Sequence, residues 1–186
     1  MAGEFNYGDD IEGFFKLEST YGTGVIPVAT DAFRALSLTM SPVVNRPPVN
    51  DRRFTRSQME TFEGRKSATW SAEVILRHSG TLGTAPDIGE ILKAAFGTET
   101  VVASTSVAYT LLKDMTGLFA TIFRRDTRSQ QLVVGACVQT CTITWGADQP
   151  MTVSFSGVAK QYGQVARTLT DSAETTSTAL GVADAD

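Results

Sequence analysis

Few side chains in this sequence could do covalent chemistry, and none stands in a catalytic pattern. His78 is the single histidine of the 186 residues. A Ser-His-Asp or Cys-His relay would need it as the base, yet it follows Arg77 at the end of a strand-like run with no motif-like serine or cysteine beside it. A solvated or packed histidine is the plainer reading. The carboxylates are scattered, and no spacing singles out a general acid and its partner. Gly22-Thr-Gly24 is too short to cradle a phosphate and no Gly-Lys-Ser/Thr follows, so a turn is expected. Cys137 and Cys141 are the only cysteines. On one extended strand they would share a face about 13 Å apart at ~3.3 Å per residue. A disulfide needs Cα atoms within ~7 Å. Two thiols and one imidazole also fall short of a structural zinc set. The expectation is two buried free thiols, no metal, no cofactor and no enzyme.

The densest basic cluster lies between Ser41 and Lys66. Arg46, Arg52, Arg53, Arg56, Arg65 and Lys66 alternate there with Pro42, Pro47, Pro48, Asn45 and Asn50. A stretch this long, polar and proline-punctuated reads as a projecting loop or arm over 41–66. As a nucleic-acid arm it is diluted by Asp51, Glu60 and Glu63, and the whole chain carries a net charge of −4. A subunit interface explains the same mixture better. Arginines pair with carboxylates, prolines stiffen, and a few apolar side chains anchor. The residues expected to make that contact are Arg46, Arg52, Arg53, Phe54, Arg56, Met59, Phe62 and Arg65.

The elements that must position such an arm are mostly strands. From Ser67 the sequence SATWSAEVIL alternates, with Ala68, Trp70, Ala72, Val74 and Leu76 on one face and Thr69, Ser71 and Glu73 on the other; Ile75 is the exception. Gly80 and Gly83 break it. Thr84-Ala-Pro-Asp87 has the form of a helix start, Ile88, Ile91, Leu92, Ala95 and Phe96 follow at helical spacing, and Gly97 is a natural stop, which predicts a helix over 86–96. Further strands are expected near 14–17, 107–112, 118–125, 131–145 (with a bulge or bend at Gly135) and 151–160. Residues 30–36 fit either a helical turn or the approach to a strand, and 98–106 reads as a small-residue connection. Trp70 and Trp145 both fall on apolar strand faces and are expected in the core. Beyond Gly163 the chain turns polar. The organisation is one β domain over 1–162 and a polar tail over 163–186 that leads toward a further element. The fold class is mainly β, a β-sandwich or partly closed barrel, with one flanking α-helix and a long projecting loop.

Opposite the apolar faces, three strands carry rows of small hydroxyl residues: Thr69 and Ser71 with Glu73; Thr140, Thr142 and Thr144; and Thr152, Ser154 and Ser156. Threonine favours strands in any case. The sharper reading is a smooth, neutral-to-acidic surface past which a polyanion slides, because each lysine or arginine facing a phosphate would add salt-sensitive affinity. Hydrophobic residues at 42% and charged residues at 19% are ordinary for a globular chain. No apolar run reaches the roughly 20 residues that span a bilayer. The N-terminus, with early acidic residues and no basic region before an apolar stretch, is unlike a secretory signal.

In order and spacing the chain resembles the tail tube (major tail) proteins of tailed bacteriophages. The stretch TYGTGVIPVATDAFRAL at 20–36 is similar to the family's opening, which follows a glutamate. GRKSATWSAEVIL and SGTLGTAPDIGEILKAAFG are similar to its strand and capped helix, and VQTCTITWGADQPMTVSFSGVAK to its late hairpin. The likeness covers roughly 12–162 and rests on turn residues and apolar positions. It implies a subunit that forms hexameric rings, whose strands join a continuous inner barrel and whose rings stack into a tube for DNA delivery. The arm at 41–66 would then reach the next ring, and the hydroxyl rows would line the lumen. The implied partners are further copies of the chain, other tail proteins at the tube ends, and DNA in transit without specific binding. The implied location is the virion, after assembly in the host cytoplasm. A β-sandwich module that contacts a receptor or glycan is the alternative.

Overall fold

The computed structural model describes residues 11–46, 64–113, 117–126, 130–147 and 149–165. Ten strands and one helix follow in order: β1 (Glu12–Leu17), a 3-10 turn (Ala29–Asp31), β2 (Ala32–Phe33), β3 (Ala35–Val44), β4 (Lys66–Ile75), α1 (Gly89–Phe96), β5 (Gly97–Val102), β6 (Ser106–Leu111), β7 (Ala120–Arg125), β8 (Gln130–Gly146), β9 (Gln149–Ala159) and β10 (Gln161–Val165). The main sheet runs β2-β1-β7-β8-β9-β4-β3, with β10 also on β8, and β5-β6 form a separate hairpin.

β8 belongs to two half-sheets because it bends. Its first part pairs with β7 and β10, and its second part with β9. The bend sits at Gly135, as expected from the sequence. The register there runs Ile122↔Val133 and then Ala120↔Ala136, so β8 holds one residue more than β7. Gly135 takes φ +67°, where an L side chain is strained, and a Cβ there would also press on Lys160 and Tyr21. Glu18 fixes the bulge from below. Its buried carboxylate accepts from Gly135 N–H at 2.8 Å and Thr121 Oγ1 at 2.8 Å through one oxygen, and from Gly22 N–H at 2.8 Å through the other. Thr121 Oγ1 in turn accepts from Val25 N–H at 3.1 Å, so the segment after β1 is strapped across β7 and β8.

The curled sheet closes on a shared core. Phe15 of β1 meets Trp70 of β4 with ring centroids 6.4 Å apart, joining the two half-sheets. α1 lies over the same core through Ile88, Ile91 and Leu92, each worth about 1.5–3 kcal/mol of burial. This is the expected partly closed β fold with one flanking helix. The helix is placed by charge as well as by packing. Lys16 Nζ donates to Asp31 Oδ1 at 2.7 Å and to Glu90 Oε1 at 3.5 Å in its first turn. The hydrogen bond to Asp31 is the first cause holding the Lys16 ammonium above its ordinary pKa.

Several boundaries differ from the sequence reading. The helix starts at Gly89 rather than Pro86, and its N-cap residue Ile88 has no side-chain cap; Asp87 Oδ1 instead accepts from Ile88 N–H at 3.0 Å. Gly97 ends the helix at φ 110°. Residues 98–106 are mostly the hairpin β5-β6 rather than a plain connection. Ser41–Val44 and Lys66, expected in the arm, belong to strands β3 and β4, and β10 runs over Gln161–Val165.

Candidate assembly surfaces

The half-sheet β8-β9-β4-β3 collects all three hydroxyl rows on one face, because its register places them side by side. One ladder runs Thr39↔Ser71↔Ser156↔Thr140 and the next Ser37↔Glu73↔Ser154↔Thr142; Thr152 pairs with both Ile75 and Thr144. Thr39 Oγ1 and Ser71 Oγ lie 2.6 Å apart. Thr69 continues the face between Ser41 and Val158. Ser37, Thr39 and Ser41 of β3 are a fourth row absent from the sequence reading, although Ser37-Leu-Thr39-Met-Ser41 alternates cleanly. Across these ladders, among the described residues, Glu73 is the only carboxylate and there is no lysine or arginine.

A second bulge sorts β8 between this face and the core. Val138 pairs with Gly157 and Thr140 with Ser156, leaving Gln139 as an extra residue. The parity of the strand therefore changes between the two cysteines. Cys137 pairs with Val158 on the hydroxyl face, while Cys141 pairs with Phe155 and packs against the core. They do not share a face, and both are half-buried free thiols rather than fully buried ones. Burial pushes the Cys141 thiol pKa up. The bulge also offers the Cys137 carbonyl to the Trp70 indole N–H at 3.3 Å. The indole passes over Gly157, where any Cβ would collide with both the Cys137 carbonyl and the indole nitrogen.

The same half-sheet has two open edges. β3 is its terminal strand, and β8 from Cys137 to Gly146 has β9 on one side and, among the described residues, no strand on the other. Both edges are ten residues long (35–44 and 137–146). Alternating antiparallel pairing makes β3 and this part of β8 run in opposite directions.

The ends of the half-sheet differ. At one end Val44 pairs with Lys66, and the stem of the arm closes with Gly64 N–H donating to Asn45 O at 2.8 Å. Arg46 and Arg65 are exposed there, while Arg52, Arg53, Phe54, Arg56, Met59 and Phe62 lie outside the described residues. At the other end the β8-β9 hairpin projects beyond the core. Trp145, expected inside, is 72% exposed there. Toward the same end lies a mainly apolar groove of about 540 Å³, whose lining includes Leu76, Leu92, Phe96, Tyr109, Val153 and, from the hairpin, Ile143. Tyr109 donates to Glu99 Oε1 at 3.0 Å, and its hydroxyl pKa is raised first by burial and then by that carboxylate. His78 is exposed on the rim, its Nδ1 accepting from Gly80 N–H at 2.9 Å.

No helix of the described residues is long and apolar enough to cross a membrane. Among curated protein sequences, none matches the chain. Solved structures do, at the level of fold. The SPP1 tail tube is similar at TM-score 0.52 and 13% identity, over 87% of this chain and 79% of that one. A subunit of the virion of a native gene transfer agent particle is similar at TM-score 0.51 and 9% identity, over 87% and 100%. A chain of the sheath-tube complex of an extracellular contractile injection system is similar at TM-score 0.51 and 9% identity, over 89% and 94%. The family described as phage tail tube protein matches residues 8–186, nearly the whole sequence, and this chain belongs to that family.

Proposed function

We propose that this tail tube protein closes into hexameric rings by pairing the β3 edge of one copy with the β8 edge of the next, and that the rings stack into a conduit lined by the hydroxyl face. The observation that carries the reading is the half-sheet itself. Its two edges match in length and run in opposite directions, so rotation about an axis along the strands continues the antiparallel pattern from copy to copy. Edges that invite aggregation in a lone subunit become the assembly contact. Pro42 on β3 is accommodated in the lone subunit because that strand is terminal, and in the ring it supplies no N–H to either neighbouring strand.

The face turned inward is then the one with the hydroxyl ladders, and DNA passing at close range meets no fixed cation on it. Thr69, Ser71, Glu73, Thr140, Thr142, Thr144, Thr152, Ser154 and Ser156 line the passage, and Ser37, Thr39 and Ser41 join them. The arm between β3 and β4 reaches the adjacent ring through Arg46, Arg52, Arg53, Phe54, Arg56, Met59, Phe62 and Arg65. No catalytic step is involved. The partners are further copies, tail proteins at the tube ends and DNA in transit, and assembly takes place in the host cytoplasm.

Negative-stain microscopy of the purified protein at high concentration tests this directly. Tubes or stacked rings are expected, and deletion of 52–63 is expected to leave rings that do not stack. Protein that stays dispersed under every polymerising condition would count against the assembly. Normal-length tubes from the deletion variant would remove the role given to the arm.

A further inference from the structure

The two ends of the half-sheet β8-β9-β4-β3 are complementary in a way that neither end explains alone. Among the described residues, one end exposes an apolar surface without a cover. Ile143, Trp145 and Met151 project there on the core side of the β8-β9 hairpin, past the last residues that the core can bury. An indole 72% exposed, two residues along the same strand face from Ile143 of the groove lining, leaves a large aromatic area in water, and that area is a strong anchor once covered. The other end releases a segment that carries the matching side chains. Residues 47–63 leave from the stem at Asn45 and Gly64 and include Phe54, Met59 and Phe62.

Reach decides which copy the segment covers. Seventeen residues (47 to 63) going out and back extend about 28 Å at ~3.3 Å per residue. The groove of the same copy starts at Leu76, ten residues along from the stem at Lys66, which is about 33 Å at ~3.3 Å per residue. The segment falls short of its own groove, and equally short of one on a copy beside it at the same level. Stacking head to tail along the strand direction, as the tube reading has it, would bring the groove of one copy to the stem of the next.

We propose that the apolar groove beside Trp145 is the receptor for residues 47–63 of a second copy stacked end to end. The inference rests on the tube reading above, which requires stacking but names no surface that receives the arm. Phe54, Met59 and Phe62 enter beside Trp145, Ile143 and Met151, and the arginines remain at the rim. Each contact is small, and the stack is held because every copy in a ring makes one simultaneously.

Trp145→p-benzoylphenylalanine, mixed with isotope-labelled wild type, tests the contact. The sample is irradiated at high concentration, adducts are mapped by peptide mass spectrometry, and tubes are scored by microscopy on the same material. The expected result is an adduct between position 145 and a residue within 47–63 of a different copy, lost when Phe54, Met59 and Phe62 are all changed to serine. An adduct to residues 166–186, to any other segment or to the same copy, or no adduct at all, overturns the proposal. Tubes without the expected adduct leave the tube reading standing and remove this receptor alone. Dispersed protein without the adduct removes both. A second variant gives an independent reading: Trp145→Ser is expected to fold and to form rings that do not stack, and normal tubes from it would also overturn the proposal.

Discussion

The half-sheet β8-β9-β4-β3 has two faces, built by the same four strands under opposite demands. On one, Trp70, Ala72, Val74, Val153 and Phe155 are buried and fill fixed volumes. On the other, Thr39, Ser71, Ser156 and Thr140 fill almost none, and among the described residues the ladders of this face hold no lysine or arginine. The packed face is constrained inside a single subunit, whereas on the proposed reading the constraint on the hydroxyl face arises only between copies and whatever passes them. Substitutions on the two faces should therefore fail in different assays.

The largest effect is expected on the packed face. Trp70 contacts Phe15 across the core and spans Gly157 to reach the Cys137 carbonyl. Trp70→Ala leaves a cavity and an unpaired carbonyl at the bulge, and should cost about 3–5 kcal/mol. Thermal denaturation should show a fall of roughly 10 °C or more for a chain of this size. A fall of only a degree or two would mean that the two half-sheets are not joined through this ring.

A smaller loss is expected where the sheet is bent. Glu18→Ala strips the Gly135 amide and the Thr121 hydroxyl of their buried acceptor, at about 1–3 kcal/mol. Glu18→Gln, which keeps an oxygen at the site, should recover part of it. Amide hydrogen exchange at Gly135 should quicken in the alanine variant. Unchanged exchange would show that the bulge holds without its carboxylate.

The cysteines sharpen the comparison without altering the sheet. Cys137 lies on the hydroxyl face, and Cys141 faces the core with its thiol pKa raised by burial. Packed against the core, with its thiol pKa raised above the ordinary value by burial, Cys141 should be the slower of the two to alkylate in the monomer, by on the order of tenfold at neutral pH. Mass spectrometry of iodoacetamide adducts over time reads both rates. As pH rises through the raised thiol pKa, the gap should narrow. Equal rates at neutral pH would return both thiols to one face and remove the bulge at Gln139.

That bulge shows why some of this was legible in the sequence and some was not. Alternation from Ala68 to Leu76 is readable because every second residue must be apolar to meet the core, and the ladder confirms it. The bend at Gly135 is readable because glycine marks a backbone that other residues avoid. Gln139 adds one residue without any change of residue type, so the parity switch that separates Cys137 from Cys141 leaves no trace. Trp145 misleads for a different reason. It has the type and parity of a core residue, but periodicity gives direction and not depth, and the hairpin outruns the core. Ser37, Thr39 and Ser41 alternate as a strand face does, but Pro42 and the prolines beyond it carry loop chemistry before the strand has ended. For the arm, residue types point to an interface, and the surface proposed to receive it rests on the register, which puts its stem and the groove at opposite ends of the half-sheet.

The smallest effect on the subunit, and the most telling for the comparison, is expected from Thr142→Lys. Its side chain is exposed on the ladder beside Ser154 and Glu73, so folding stability should move by no more than about 0.5 kcal/mol. In a tube the same change recurs in every copy and lines the passage with cations at the level where the wild-type ladder has none. Duplex DNA admitted to such tubes should be retained at about 50 mM salt and released by about 200 mM, since each phosphate contact carries its own salt dependence. Retained DNA should also resist nuclease, because a lumenal site is shielded by the wall, whereas wild-type tubes should retain little. DNA held by the variant but fully cut by nuclease would place Thr142 on the outside of the tube. The hydroxyl face would then be an outer surface, and the passage would have to be sought on a different part of the subunit.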